Sequence, residues 1–128
     1  MKYKDLDIKI TSNKEESEEH IEKDYNALVE YGVDNLIKEK FIPWLLGENF
    51  PDKEPEKVLN GLKLYEIEYY YGRIVAQYSP NGEDNYFGKF QLCFESGDDY
   101  TSDILEAAAM EVFILDGKVQ EKTKCFDI

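Results

Sequence analysis

The stretch YFGKFQLCFESGDDYTSD, residues 86–103, decides the fold and holds the most unusual charge pattern of the chain. Its first half alternates apolar and polar side chains, with Phe90, Leu92 and Phe94 on one side, as in a strand with one buried face. Its second half turns at Gly97 and presents aspartates that have no lysine or arginine beside them in the sequence. We therefore predict a core strand, followed by an acidic loop that is a binding surface, a metal site or a solvated turn.

The same alternation recurs through the second half of the chain. Asp116-Gly117 is a strong signal for a two-residue hairpin, because both central residues of that turn need positive φ. Short connections of this kind join antiparallel neighbours, so we expect residues 62–128 to form an antiparallel meander. The five strand candidates are Leu62–Tyr70, Arg73–Tyr78, Tyr86–Glu95, Ala108–Leu115 and Lys118–Phe126.

The first half of the chain has a different period. Residues 3–10 suggest one strand, and apolar residues at helical spacing then begin with Ile21, Tyr25 and Leu28. Pro43 breaks or kinks a second helix, and a short third helix is expected to end at Gly61. We predict a single α+β domain over residues 1–128. Residues 1–61 supply a strand and two to three helices, which pack on one face of the sheet formed by residues 62–128.

Acidic residues dominate the charge. The chain has 28 acidic and 15 basic residues and a net charge of −13, and the segment from residue 61 to 117 alone has eleven acids and three bases. Such a field repels a phosphate backbone, so we expect no nucleic-acid partner. It either steers a basic protein toward the chain or serves solubility alone.

Few residues are suited to covalent chemistry or to soft metal ligation. Cys93 and Cys125 belong to no CxxC pair and are expected to be reduced, buried thiols. His20 is the only histidine and falls on the expected polar face of the first helix, where we expect no role for it. No phosphate-binding glycine loop, apolar span or signal peptide is visible. These features predict a cytoplasmic, non-enzymatic protein with no cofactor and no membrane contact.

The acidic loop has two interpretations. Asp98, Asp99 and Asp103 are the nearest approach to a metal site, but their spacing fits no calcium loop. Asp103 is otherwise expected to cap a helical turn that begins near Ile104, because aspartate is a favoured N-cap residue.

Carboxylates and tyrosines together suggest a protein-binding surface. Glu66 and Glu68 share one face of their strand and are expected to face solvent, although such a pair also resembles the two carboxylates of a glycosidase. Tyr69, Tyr70 and Tyr71 must point to both faces, so at least one is expected outside the core, either in an interface or covering the sheet edge. The predicted partner-binding residues are Glu66, Glu68, Tyr70, Asp98, Asp99, Tyr100 and Asp103.

Four short motifs carry a family resemblance. They are FESG at Phe94–Gly97, DYT at Asp99–Thr101, ILE at Ile104–Glu106 and ILDG at Ile114–Gly117. The stretch from residue 87 to 119 that contains them resembles a family of small acidic bacterial proteins of unknown function. That family is similar in size and charge to immunity proteins of bacterial toxin systems. The resemblance implies a protein that neutralises a toxin domain by binding it, and it implies no catalytic residues.

Three functions therefore follow as hypotheses. The first is a non-enzymatic domain that binds a basic protein through an acidic, tyrosine-bearing surface, with an immunity-like role as its concrete form. The second is a small metal-dependent hydrolase that uses the acidic loop. The third is a structural domain that self-associates through an edge strand.

Overall fold

The computed structural model describes residues 1–128 and has an α+β architecture with a mixed sheet. The strands are β1 (Lys2–Tyr3), β2 (Leu6–Ile10), β3 (Leu62–Ile74), β4 (Asn85–Ser96), β5 (Ala107–Leu115), β6 (Lys118–Val119) and β7 (Lys124–Asp127). The helices are α1 (Lys14–Tyr31), α2 (Val33–Leu36), a π-helical turn (Ile37–Phe41), α3 (Ile42–Leu46), α4 (Pro55–Gly61) and α5 (Asp99–Ser102). No helix has both the length and the apolar character needed to cross a bilayer.

The sheet order is β1-β2-β3-β4-β5-β6, and β7 also pairs with β5. Strands β3, β4 and β5 are antiparallel neighbours, but β2 runs parallel to β3, with Ile8 opposite Ile67. The expectation of an antiparallel meander is therefore wrong for the sheet as a whole. The reason is that the helices between β2 and β3 form a long crossover, and only such a connection permits parallel neighbours.

Strand β3 is longer than the sequence pattern indicates. It continues through Gly72 to Ile74, where it pairs with Asn85, so the predicted break at Tyr71-Gly72 and the separate strand Arg73–Tyr78 are both wrong. A side chain at Gly72 would collide with the phenol ring of Tyr70. The glycine is therefore explained by close packing within a strand and not by a turn.

A β-bulge in β3 sets which residues face the core. The register against β4 shifts between Leu64 and Glu66, leaving Tyr65 without an opposite residue. Before the bulge, even-numbered residues such as Leu64 face the core; after it, Ile67 and Tyr69 do, and both are fully buried. The bulge therefore turns the following even-numbered side chains to the opposite face.

The core lies between this face of the sheet and the helices. Phe90, Leu92 and Phe94 are buried as predicted. The ring of Phe41, from the π-helical turn, lies 4.4 Å from the ring of Phe94. That turn precedes Pro43, which has no N–H to donate, and the N–H of Ile42 bonds to the carbonyl of residue 37 instead of residue 38.

The edge of the sheet beyond β5 is formed by two short strands in place of the one predicted at Lys118–Phe126. The Asp116-Gly117 hairpin is confirmed, with φ values of 51° and 74°. Leu115 pairs with Lys118, whereas Glu111 pairs with Lys124, so two extra residues interrupt the edge strand. The interruption separates β6 from β7.

Candidate functional site

The predicted residues of β3 lie on the sheet face opposite the core. Glu66, Glu68 and Tyr70 alternate with the buried Ile67 and Tyr69, and all three are half-buried. The expectation that the two glutamates point away from the core agrees with this alternation. Their strand neighbours on the same face include basic side chains, which the linear sequence did not reveal.

Ion pairs balance much of the charge on this face. Lys9 Nζ lies 2.5 Å from Glu66 Oε1, and that bond raises the pKa of the lysine. Lys89 Nζ lies 2.8 Å from Glu111 Oε2 and 5.8 Å from the centre of the Tyr70 ring. Glu66 and Tyr70 are thus already in contact with lysines of the same chain, and the face is less negative than the acidic composition suggested.

The acidic turn after β4 is organised by Asp98. Its Oδ1 accepts hydrogen bonds from the backbone N–H of Thr101 at 2.9 Å and from the Thr101 hydroxyl at 2.8 Å. The first of these bonds is the main reason that the pKa of Asp98 is lowered. Asp98 is therefore the N-cap of α5, and the expectation that Asp103 caps a helix beginning near Ile104 is wrong. Asp103 follows α5 instead, because the helical turn starts five residues earlier than expected.

A lysine from a distant loop lies beside the acidic turn. Lys53 Nζ is 3.0 Å from the carbonyl oxygen of Tyr100, 3.3 Å from Asp103 Oδ2 and 4.2 Å from the centre of the Tyr100 ring. The Tyr100 hydroxyl accepts a hydrogen bond of 2.7 Å from the backbone N–H of Glu54. Tyr100 and Asp103 thus hold the loop before α4 in place, while Asp99 is exposed and has no ion pair within 4.0 Å.

The three aspartates do not converge on a common point. Asp98 is engaged by Thr101 and Asp103 by Lys53. No group of three or more His, Cys, Asp or Glu side chains is arranged to hold a metal ion. The metal-dependent hydrolase hypothesis therefore has no ligand set in this turn.

A second acidic surface lies on the first half of α1. Ion pairs within 4.0 Å involve only one of its five glutamates, Glu18, which is 4.0 Å from Lys14. All five are exposed to solvent: Glu15, Glu16, Glu18, Glu19 and Glu22.

Aromatic rings adjoin these glutamates where α1 crosses β3. The rings of His20 and Tyr71 are stacked in parallel at 3.6 Å, and the ring of Tyr86 lies 6.3 Å beyond Tyr71. His20 Nδ1 bonds to the carbonyl oxygen of Glu16 at 2.8 Å, which fixes the ring on the helix. Tyr86 ends the row with 54% of its surface exposed.

The two features meet at Glu16, whose carbonyl oxygen binds the His20 ring and whose carboxylate lies beside Asn13. Burial and then the charges of Asp24 and Glu16 raise the pKa of Tyr71, and Asn13 Nδ2 lies 3.4 Å from Glu16 Oε2. Side chains from the start of α1 also bind the Tyr71 backbone: Ser17 Oγ accepts from its N–H, and Asn13 Nδ2 donates to its carbonyl. We call this the acidic–aromatic surface, formed by Glu15, Glu16, Glu19, His20, Tyr71 and Tyr86.

Sequence reasoning did not identify this surface. Acidic runs such as EESEE at residues 15–19 are common at the positive end of a helix dipole, and His20 was expected to have no role on a polar face. Two features of the sequence could have pointed to this surface: the many glutamates just before the only histidine, and the strand that contains three consecutive tyrosines. What the sequence could not give was the crossing point of α1 and β3, which places residues more than fifty positions apart in contact.

Comparisons with protein-family models, with curated proteins and with solved structures give no match. The resemblance of residues 87–119 to a family of immunity-like acidic proteins therefore stays a prediction.

Proposed function

We propose that this protein is a non-enzymatic protein-binding domain whose partner is a basic protein, with neutralisation of a toxin domain as the concrete form of that role. The observation that supports it best is the large excess of carboxylates without a cation. Of the 28 acidic side chains, nine have a lysine or arginine within 4.0 Å, which leaves nineteen unpaired. A field of this kind accelerates association with a positively charged partner and weakens as salt is added.

We assign the primary contact to the acidic–aromatic surface. An arginine side chain stacks on an exposed tyrosine ring and pairs with a nearby carboxylate, and the surface offers both groups at Tyr86 and Glu16. Tyrosine and arginine are also the residues that contribute most often to binding energy at protein interfaces.

The stacking arrangement favours binding without a large entropy cost. Tyr71 is held by two backbone hydrogen bonds and by the His20 ring, so the platform beneath Tyr86 is ordered before a partner arrives. Preorganised groups lose less freedom on association, which leaves more of the contact energy for affinity.

The predicted contacts on β3 and in the acidic turn lie outside the acidic–aromatic surface and offer a second contact. Glu68 and Asp99 are the members of the predicted set whose carboxylates have no ion pair or cap of their own. We therefore keep these two as predicted contacts, and we regard Glu66, Tyr70, Asp98, Tyr100 and Asp103 as predicted contacts that also serve the fold.

Affinity capture at two salt concentrations tests the proposal. The tagged protein is incubated with a cell extract at about 50 mM and about 500 mM salt, and retained proteins are identified by mass spectrometry. We expect basic proteins to be retained at low salt and to be lost at high salt, since exposed charge pairs are screened. Binding of the recovered protein is then measured with both components purified.

Three charge-matched variants make the test specific. Each variant removes three negative charges. The first variant removes them from the acidic–aromatic surface, the second from the acidic turn and its neighbour Glu106, and the third from scattered exposed sites. The substitutions are Glu15→Gln, Glu16→Gln and Glu19→Gln; Asp99→Asn, Asp103→Asn and Glu106→Gln; and Glu48→Gln, Glu83→Gln and Glu121→Gln. Only the first set is expected to abolish binding of the purified partner. Equal losses in all three sets would mean that net charge alone is responsible, and retention of no basic protein at low salt would reject the function.

A further inference from the structure

A groove of about 570 Å³ opens on the side of the molecule where β3 begins. One wall is the tip of the β1–β2 hairpin, Tyr3–Leu6, and the floor is the start of β3, residues 62–64, with the ring of Phe94. The other wall is helical and includes Ile37 and Leu59. The volume lies within the range of ordinary ligand pockets, and most of the lining is apolar.

The floor of the groove contains an unpaired strand edge. Strand β2 pairs with β3 only from Ile67 onward, so residues 62–66 have β4 as their sole strand neighbour. The β1–β2 turn causes this gap, because Lys4 adopts a φ of 52° and the hairpin folds back on itself before it reaches the start of β3.

The direction of the peptide groups shows which atoms are available. The carbonyl of Gly61 points toward β4, where it accepts a 2.7 Å hydrogen bond from the N–H of Gly97. Peptide groups alternate along a strand, so the N–H and carbonyl of Leu64 point away from β4 and into the groove. On the same side but further along β3, the carbonyl of Tyr69 accepts from Thr11, as expected for a paired edge.

We propose that this groove binds an extended peptide segment, which adds a short strand to the open edge of β3. An apolar side chain of the peptide enters between Ile37, Leu59 and Phe94, and a basic side chain lies beside Asp34. Strand addition of this kind obtains its affinity from main-chain hydrogen bonds and its specificity from pockets for alternate side chains.

Charge at the rim determines the chemistry of the peptide. Asp5 and Asp34 line the groove and take part in no ion pair within 4.0 Å, whereas Lys63 is paired with Glu95 at 3.4 Å. Lys4 is the one other basic lining residue, and its ammonium group lies 5.6 Å from the centre of the Tyr3 ring, so two carboxylates face one unpaired cation. Asp34 lies close enough to the Tyr3 hydroxyl that its charge, after burial, raises the pKa of that phenol. A peptide with lysine or arginine next to its apolar anchor therefore complements the rim.

Other occupants fit the groove less well. A second copy of this chain carries a net charge of −13, so two copies repel each other. A small apolar molecule leaves the polar peptide group of Leu64 without a hydrogen-bond partner, which is costly in a dry site. The groove shares no residue with the acidic–aromatic surface, so peptide binding here is independent of the function proposed above.

Selection from a displayed library of random heptapeptides identifies the preferred sequence. The wild-type protein is the bait, and the variant Asn60→Trp is used for counter-selection, because residue 60 lines the groove and is exposed. The matched control is Glu48→Trp, which adds the same ring at an exposed position outside the groove. We expect enriched peptides with apolar residues at alternate positions and with a lysine or arginine beside them.

Synthetic versions of the enriched peptide are then measured by fluorescence anisotropy. N-methylation of one main-chain amide that faces β3 is expected to weaken binding about tenfold, since it removes a hydrogen bond. Asn60→Trp abolishes binding while its melting temperature matches that of Glu48→Trp, and Asp34→Asn weakens binding about threefold.

Four results would overturn the proposal. The first two are no enrichment over the Asn60→Trp counter-selection and equal binding by the N-methylated peptide. The other two are displacement of the peptide by a small apolar dye with no main-chain dependence, and a dimer in sedimentation of the wild type that Asn60→Trp abolishes. The salt-dependent capture of a basic protein is measured with Asn60→Trp as well. Loss of peptide binding with capture unchanged separates this site from the proposed function.

Discussion

The Tyr69 hydroxyl donates a 2.5 Å hydrogen bond to Asp24 Oδ2 and so joins the middle of β3 to the middle of α1. Tyr69 is fully buried and Asp24 is only 5% exposed. Burial raises the pKa of Asp24, whereas the Tyr69 hydrogen bond and the nearby charges of His20 and Lys23 oppose that rise. A helix that is otherwise strongly acidic is thus held to the sheet partly by a carboxyl group that is costly to ionise.

The first prediction concerns the pH dependence of stability. Because the folded-state pKa of Asp24 is raised, the folded protein holds this proton more tightly than the unfolded chain does. The contribution of Asp24 to stability therefore falls as pH rises above the ordinary aspartate value of about 3.9, and it levels off above the raised pKa. We expect Asp24→Asn to remove this fall, so that the variant is at least as stable as wild type at pH 7. Urea unfolding between pH 4 and pH 8 measures the difference.

In contrast to Asp24→Asn, the substitution Tyr69→Phe is expected to reduce stability at pH 7. It removes the donor and leaves a buried carboxylate without its hydrogen bond, which is expected to cost about 3 kcal/mol at pH 7. The double variant Tyr69→Phe with Asp24→Asn separates the two contributions. A pH profile for Asp24→Asn that falls as steeply as that of wild type would contradict the assignment.

The second prediction concerns Gly88, which lies directly beneath this pair. A Cβ atom at position 88 would collide with the Asp24 carboxylate and would lie 2.9 Å from the Tyr69 hydroxyl. We expect Gly88→Ala to reduce the free energy of unfolding by about 3 kcal/mol, because the core must shift to accept it.

Two further variants make this test specific. In Gly82→Ala the added Cβ atom has no other atom within 4 Å. The expected loss in the free energy of unfolding is therefore about 1 kcal/mol, which comes only from the positive φ at this position. Combining Gly88→Ala with Asp24→Ala removes the colliding carboxylate, and the alanine at position 88 should then cost less. Equal cost in both backgrounds would mean that another contact requires the glycine.

The third prediction concerns Thr101, which is fully buried at the acidic turn. Its hydroxyl lies 3.1 Å from the carbonyl oxygen of Gly61 and 2.8 Å from Asp98 Oδ1, so it joins α5 to the end of α4. Thr101→Val keeps the shape but removes the hydroxyl that donates to Asp98 Oδ1 and lies beside the Gly61 carbonyl, and we expect a loss of about 1–2 kcal/mol by thermal unfolding. Ser102→Ala is the control, because Ser102 is exposed and bonds only within the turn. A similar loss for both variants would rule out a linking role for Thr101.

Local patterns account for the parts of the fold that the sequence predicted. The alternation around Phe90 fixed β4, and the Asp116-Gly117 pair fixed its hairpin, because both signals act between near neighbours in the chain. The parallel pairing of Ile8 with Ile67 was not predictable in this way, since its partners are separated by all of the helices. The bulge at Tyr65 was also missed, although it decides which face Glu66 occupies.

The same distinction applies to the candidate site. The acidic turn was located correctly as a surface feature, but its internal partners were not, because Lys53 and Asp103 are fifty residues apart. The contact of His20 with Tyr71 depends likewise on how α1 crosses β3. Sequence patterns identified carboxylates and tyrosines at the surface, whereas tertiary contacts decide which of those side chains already have partners within the chain.

The last prediction concerns Lys53, whose side chain is only 17% exposed although it comes from a loop. Its ammonium group binds the Tyr100 carbonyl, the Asp103 carboxylate and the face of the Tyr100 ring, and so it holds residues 47–54 against the acidic turn. We expect Lys53→Met to cost about 1 kcal/mol and to increase amide hydrogen exchange in that loop, because methionine keeps the apolar contact and loses the charge. Lys122→Met is the matched control, since Lys122 is exposed and its ammonium group has no ion pair within 4.0 Å. Exchange that rises equally in both variants would show that the general loss of positive charge, and not the contact of Lys53, loosens the loop.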